Sequence, residues 1–158
     1  MKGYIDTTTD YGLMQLAHLK ATGSSCNSRK VGCVLVLKEP RNTLLVSYNE
    51  MPEAIGRCID YQQCRCFDPN RESGKDLDKC YATHAEAKAI TQAIKLRVST
   101  VGATAVVTDL PCNECAKLLI EAGIDRVIYD RDYPHSKSKW MFEQSGVSIE
   151  NVSVGVVT

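Results

Sequence analysis

The chain has 158 residues with 19 basic and 19 acidic side chains, a formal net charge of zero. That length suits one domain with a real core, and the charge balance excludes the basic footprint of a protein that tracks long nucleic acid. A small-molecule ligand is favoured, for which a local basic pocket is enough.

The opening segment MKGYIDTTTDYG is polar and lacks the apolar stretch of a secretory signal. No run approaches the roughly 18 apolar residues of a membrane span, so a cytoplasmic protein without membrane partners is expected. Leu13, Leu16, Ala17 and Leu19 recur near helical spacing and predict a first helix over 11–21, ended by the polar run TGSSCNSRK. VGCVLVLK (31–38) and NTLLVSY (42–48) are rich in β-branched and apolar residues, which predicts two strands joined as a hairpin by Glu39, Pro40 and Arg41. From Asn49 to about Tyr81 no period is sustained, and the stretch contains Pro52, Pro69, Gly74, Cys58, Cys64, Cys66 and Cys80. A loop of that length inside a compact domain needs a reason to be ordered, and a bound metal would supply one.

Beyond the loop the pattern becomes regular. It predicts a helix over about 83–96, a strand at 101–108 and a helix that starts after Pro111 and ends near Gly123. A strand at 126–129, a helix through SKSKWMFEQS and a last strand at VSIENVSV follow. Trp140 and Phe142 are expected to anchor the last helix in the core, and His18 and His135 to be ordinary surface or helix histidines. Strands alternating with helices imply a layered α/β domain with a largely parallel second half. The expectation is one domain over 1–158 with a Cys-rich insertion at about 49–81.

Eight cysteines without a signal peptide point to metal rather than disulfides. His84 offers an imidazole, and Cys112 and Cys115 offer thiolates at the spacing that grips one ion. Three protein ligands with an open fourth position is the arrangement of a catalytic zinc. Both donor groups fall where a helix should begin, and the partial positive charge there favours thiolate over thiol. Pro111 suits a first turn, where its missing N–H costs nothing. Zinc can bring its bound water to a pKa near 7, and Glu86, two residues past His84, is placed to move protons rather than to ligate. Taken singly, the His–Glu pair reads as a solvated helix pair and the Cys pair as a redox dithiol. Taken together, in this order and with a strand between them, they match the H-x-E…P-C-x-x-C signature of zinc deaminases.

With these motifs the sequence resembles the cytidine deaminase superfamily, and within it the dCMP deaminases, from about Leu13 to Ile149. SRKVGCVLV (28–36), SYNEMP (47–52), CAKLLIEAGIDRVIY (115–129) and YP (133–134) carry the rest of the likeness. The resemblance implies a three-layer fold with a five-stranded mixed sheet between helices, and hydrolysis of dCMP to dUMP and ammonia. It also implies a homo-oligomer, commonly a hexamer. It places Asn49 and Tyr133 at the nucleotide, with Ser28, Arg29 or Lys30 near the 5′-phosphate, although those polar residues equally suit a solvated turn. It further implies a second, structural zinc on Cys26, Cys58, Cys64 and Cys80, with Cys66 as the substitute for Cys64 and Cys33 as a small buried strand residue.

One departure stands out. Allosteric relatives read Gly-Tyr-Asn-Gly where this chain reads Ser47-Tyr48-Asn49-Glu50. Ser and Glu reach glycine's special conformations only at a cost. A carboxylate there would also repel a triphosphate effector unless Mg²⁺ or a basic residue intervened. An enzyme that is unregulated, or that binds a different effector, is therefore expected. Other substrates sharing the chemistry (dCTP, cytidine) and a zinc-stabilised binding module are the alternatives. The intact Glu86 speaks against the module, because a purely structural zinc has no use for a proton carrier.

Overall fold

A computed structural model describes residues 4–41, 43–72, 75–133 and 136–155. His135, Pro134, Asn42 and Gly74, which figured in the sequence reading, lie outside the described residues. Thr9 opens the first helix, α1 (Asp10–Ala21), by accepting a hydrogen bond from the Gly12 N–H on its side chain, the usual role of an N-cap threonine. Two strands follow, β1 (Gly32–Val36) and β2 (Leu44–Tyr48), and they pair antiparallel as the predicted hairpin. After the Cys-rich insertion come α2 (Ala85–Leu96), β3 (Thr104–Asp109), α3 (Asn113–Glu121), β4 (Arg126–Arg131), α4 (Ser138–Ser145) and β5 (Ser148–Asn151). The elements match the predicted order, with ends shifted by a few residues. Among its described residues the insertion contains three short 3₁₀ turns: Cys58–Asp60, Arg65–Phe67 and Leu77–Lys79.

The strands form one five-stranded sheet in the order β2-β1-β3-β4-β5. β1 runs antiparallel to β3, whereas β3, β4 and β5 are mutually parallel through the helical crossovers α3 and α4. Alternation along the strands separates two cores, as a period of two requires. Cys33, Leu35, Ala105, Val107 and Val127 face Ala85, Ala89, Leu119 and Phe142 on the side of α2, α3 and α4. Val34, Val106 and Ile128 face Leu13, Met14 and Ala17 of α1 on the other side. The result is a three-layer α/β/α sandwich. Gly32 is what lets α1 lie so close to β1: a Cβ there would fall 1.9 Å from the Ala17 carbonyl oxygen.

Trp140 corrects the sequence reading. Ser138, Met141 and Phe142 share the inward stripe of α4 and pack into the core, but Trp140 sits on the opposite face and is 60% exposed. Residues two apart on a helix point in nearly opposite directions, so both aromatics were never able to reach the same core. Phe142→Ala is expected to cost about 3–5 kcal/mol in chemical denaturation, and Trp140→Ala to stay within about 0.5 kcal/mol of wild type.

Candidate active site

Two helix starts meet beyond the carboxyl end of β3, where open α/β sheets commonly bind their ligands. His84 is the N-cap residue of α2 and Cys112 that of α3, and neither side chain caps its own helix. Imidazole and thiol are thus left for another partner. His84 is delivered by a β-bridge just before it, in which the Glu50 and Thr83 backbones exchange hydrogen bonds. Ser47 adds a tie by donating from its hydroxyl to the Ala85 carbonyl at 2.7 Å. Cys112 arrives from β3 through buried Leu110 and Pro111.

His84 Nδ1 lies 3.6 Å from Cys112 Sγ and 3.3 Å from Cys115 Sγ. All three ligand atoms fall within 4.8 Å of one another, the one such trio of His, Cys, Asp or Glu among the described residues. A tetrahedral zinc with bonds of about 2.0–2.1 Å to nitrogen and 2.3 Å to sulfur separates N and S by about 3.6 Å. The donor set therefore fits zinc with shifts of a few tenths of an ångström. The contact with the Cys115 thiol, helped by His84, holds Cys112 down at about 4 in spite of burial. The same contact, with burial, keeps the proton on Cys115. His84 is raised by its contact with Cys112. Glu86 is 4% exposed, and burial raises its pKa against the opposing pull of His84. A coordinated dication would deprotonate both thiols outright.

A cavity of about 410 Å³ opens over this triangle, a size suited to a small ligand. Its wall includes Ser28, Asn49, His84, Glu86, Cys112 and Tyr133, all singled out by sequence. Asn49 accepts from the Val31 N–H at 2.8 Å and donates to the Arg29 carbonyl at 2.9 Å, so it also shapes the segment after α1. The Arg29 guanidinium lies 5.2 Å from the Tyr133 ring centre and pairs with Asp109 at 3.3 Å. Lys30 is exposed and does not line the cavity. Sequence reasoning missed Asp109, Arg65 and Arg71, which do. Asp109 at a strand's carboxyl end was a usable signal; the arginines sit in a stretch with no periodicity to mark them.

The sulfur-rich part of the insertion also differs from expectation. Cys26, Cys64 and Cys66 pack together in a buried cluster, with Cys80 beside Cys64. Cys58 lies instead against Glu50, whose carboxylate accepts from the Cys58 N–H at 2.7 Å. The packed cluster includes Cys66 and not Cys58, whose thiol pKa, raised by burial, is nonetheless raised further by Cys26 nearby.

Glu50 reverses its sequence reading. It is buried, and it also accepts from the Ser25 N–H at 2.8 Å and the Met51 N–H at 3.1 Å. No carboxylate here faces an incoming triphosphate. Nor does the loop carry the backbone cost expected of lost glycines, since Asp76 and Arg97 are the only non-glycine residues with positive φ among those described.

A three-layer sandwich with a His-Cys-Cys triangle at two helix starts defines a class of metal-centred deaminase folds. The family model for the cytidine and deoxycytidylate deaminase zinc-binding region matches residues 7–131, and the chain belongs to that family. It is 36% identical over 143 residues to ComE operon protein 2 of Bacillus subtilis, covering 89% of this chain and 69% of that one. It is 30% identical over 145 residues to the deoxycytidylate deaminase of Saccharomyces cerevisiae, covering 91% of this chain but only 45% of the yeast protein. Against the human deoxycytidylate deaminase, identity is 32% over 140 residues, covering 85% and 74%. The apo structure of dCMP deaminase from the cyanophage S-TIM5 has the same fold, with a TM-score of 0.72 at 24% identity over 93% of this chain and 99% of that one.

Burial alone would push the Glu50 pKa up, but hydrogen bonds from Ser25 and Cys58 outweigh it and hold the group at about 2, against an ordinary 4.5. A depressed carboxylate stabilises the fold above its unfolded pKa and loses that contribution as pH falls through the folded one. The contribution is about 1–3 kcal/mol after solvent screening. Thermal melts between pH 5 and pH 2 should therefore fall more steeply for wild type than for Glu50→Gln, which starts lower.

Proposed function

We propose that this chain hydrolyses dCMP to dUMP and ammonia, with zinc held by His84, Cys112 and Cys115 and with Glu86 as the proton carrier. The observation that carries this reading is the ligand triangle at zinc separations with a buried carboxyl beside it, on the wall of a nucleotide-sized cavity. Deoxycytidylate deaminases among the relatives give the substrate. When bound, zinc supplies Lewis-acid chemistry that brings water toward deprotonation near neutral pH.

Burial gives Glu86 a raised proton affinity, the property a group needs to take a proton and then return it. It takes one proton from the water attacking C4 of the base and passes it to ring N3, then takes the second from the hydroxyl so added at C4 and gives it to the 4-amino group, which leaves as ammonia. Asn49 spends one N–H and one lone pair on the backbone, which leaves one of each for the nucleotide. Tyr133, held under the Arg29 guanidinium, offers its ring and hydroxyl at the cavity wall.

A second, structural zinc at the thiol cluster belongs to the same proposal, although no three of those sulfurs stand within 4.8 Å of one another and they would have to draw closer to share an ion. Its ligands would be Cys26, Cys64, Cys66 and Cys80, a closed sulfur set that pins the insertion. Free thiols throughout suit a reducing cytoplasm. No helix among the described residues is long and apolar enough to cross a membrane. Exposed Ile94, Leu96, Leu118 and Trp140, carried by α2, α3 and α4, favour association with further copies of the chain.

Zinc-loaded wild type should convert dCMP to dUMP in an ultraviolet assay. Glu86→Gln should keep its metal and lose about 10²- to 10⁴-fold in kcat. Full activity in that variant would overturn the assigned role, and metal-replete wild type inert toward dCMP would overturn the substrate. Metal analysis separates the two sites: two zinc ions per chain are expected in wild type and in Cys58→Ser, and one in Cys66→Ser. One zinc per chain in wild type would remove the second site.

A further inference from the structure

The insertion builds one side of the cavity with cations that the deaminase motifs do not include. Arg65 and Arg71 line the same cavity as His84, Glu86 and Asn49. Charges elsewhere on that wall are already matched. Arg29 pairs with Asp109, and Asp109 also receives Arg131 at 2.7 Å. Arg71 is different. Its Nε donates to the Ser28 hydroxyl at 3.2 Å and its Nη1 to the Asp68 carbonyl at 3.0 Å, both neutral acceptors. Arg65 donates to the Glu72 carbonyl, also neutral. Among the described residues, no carboxylate pairs with either guanidinium. Two uncompensated cations in the wall of one cavity form a place for an anion, and a guanidinium fixed at two of its nitrogens is already oriented to bind one.

We infer that Arg71, backed by Arg65, reads the 5′-phosphate of the substrate, so that the Cys-rich insertion selects a nucleoside monophosphate over the free nucleoside. This rests on the deaminase reading above and names the group that gives it its substrate class. Ser28 then acts as a positioning residue that steers Arg71. Lys30, the cation suggested by sequence, has no part in it. The bond from Arg71 to Ser28 and the one from Asn27 Nδ2 to the Cys66 carbonyl at 3.2 Å dock the insertion on the segment after α1. Phosphate recognition therefore depends on that docking, with the thiol cluster directly behind it.

The test compares zinc-loaded wild type, Arg71→Ala and Arg71→Lys on dCMP and on deoxycytidine. Arg71→Ala is expected to lose roughly 10- to 100-fold in kcat/KM for dCMP, mostly through KM. Its kcat/KM for deoxycytidine should stay within about threefold, a change too small to signal a lost contact. Arg71→Lys should fall between, since it keeps the charge without the fork. Inorganic phosphate should compete with dCMP on wild type and much more weakly on Arg71→Ala. An equal loss on both substrates would reduce Arg71 to a structural brace and overturn the inference, as would an unchanged KM for dCMP. Calorimetry with dUMP and deoxyuridine decides the point without turnover. Wild type that binds dUMP no better than deoxyuridine refutes the phosphate site, whereas wild type that binds dUMP in an Arg71-dependent way but turns over no dCMP refutes only the assigned reaction.

Discussion

Three donor atoms carried by two different helices must lie within 4.8 Å of one another for the site to exist. Neither helix supplies that closeness by itself. α2 is held by the backbone bridge between Glu50 and Thr83 and by the Ser47 hydroxyl on the Ala85 carbonyl, while α3 is held by the short run from β3 through Leu110 and Pro111. Each donor sits at or near the first residue of its helix, so small errors in helix length further along leave the triangle untouched. The helix starts also present N–H groups and positive partial charge to the sulfurs. Geometry and electrostatics are thus provided by the same feature.

The sheet explains why the two starts meet at all. β1 runs antiparallel to β3, so the hairpin's outgoing chain and the carboxyl end of β3 emerge at the same edge of the sandwich. The chain leaving β2 can then pass through the insertion and return as α2 directly beside α3. Reversing either pairing would send His84 to the far edge. The dry core beneath, with Cys33, Ala85, Ala89 and Val107 all buried, packs small side chains where α2 crosses the strands and lets the helix lie close. Buried Cys33 thus serves packing, as its place in a strand suggested.

Much of this was legible in the sequence because period and spacing are local. The strand alternation, the helix starts at His84 and Cys112 and the order of the motifs all follow from neighbours a few residues apart. The rest was set by contacts at long range. Trp140 and Phe142 looked equivalent by composition, and only the inward stripe of α4 separates them. Cys64 and Cys66 were alternatives by spacing, and the fold buries both in the sulfur cluster, while the Cys58 backbone is held by the carboxylate of Glu50. Lys30 lies beside the motif residues in sequence but outside the cavity, whereas Arg71, 43 residues beyond Ser28, comes into it.

The segment Ser47-Tyr48-Asn49-Glu50 shows how one extended stretch can serve both sheet and site. Successive residues of extended backbone point to opposite sides, and here the alternate residues have separate tasks. Ser47 and Asn49 tie the helix start and the segment after α1, through the Ala85 carbonyl and through Arg29 and Val31. Tyr48 stacks beneath the Lys88 ammonium at 5.5 Å, and Glu50 gathers three backbone N–H groups from Ser25, Met51 and Cys58. Glycines at 47 and 50 would offer no side chain for either task. What reads by sequence as a loss of loop freedom is a gain of fixed hydrogen bonds, made in a backbone conformation that needs no glycine. The carboxylate that seemed set to repel a ligand is the group that holds the insertion, and with it the arginines of the cavity wall, against the rest of the fold.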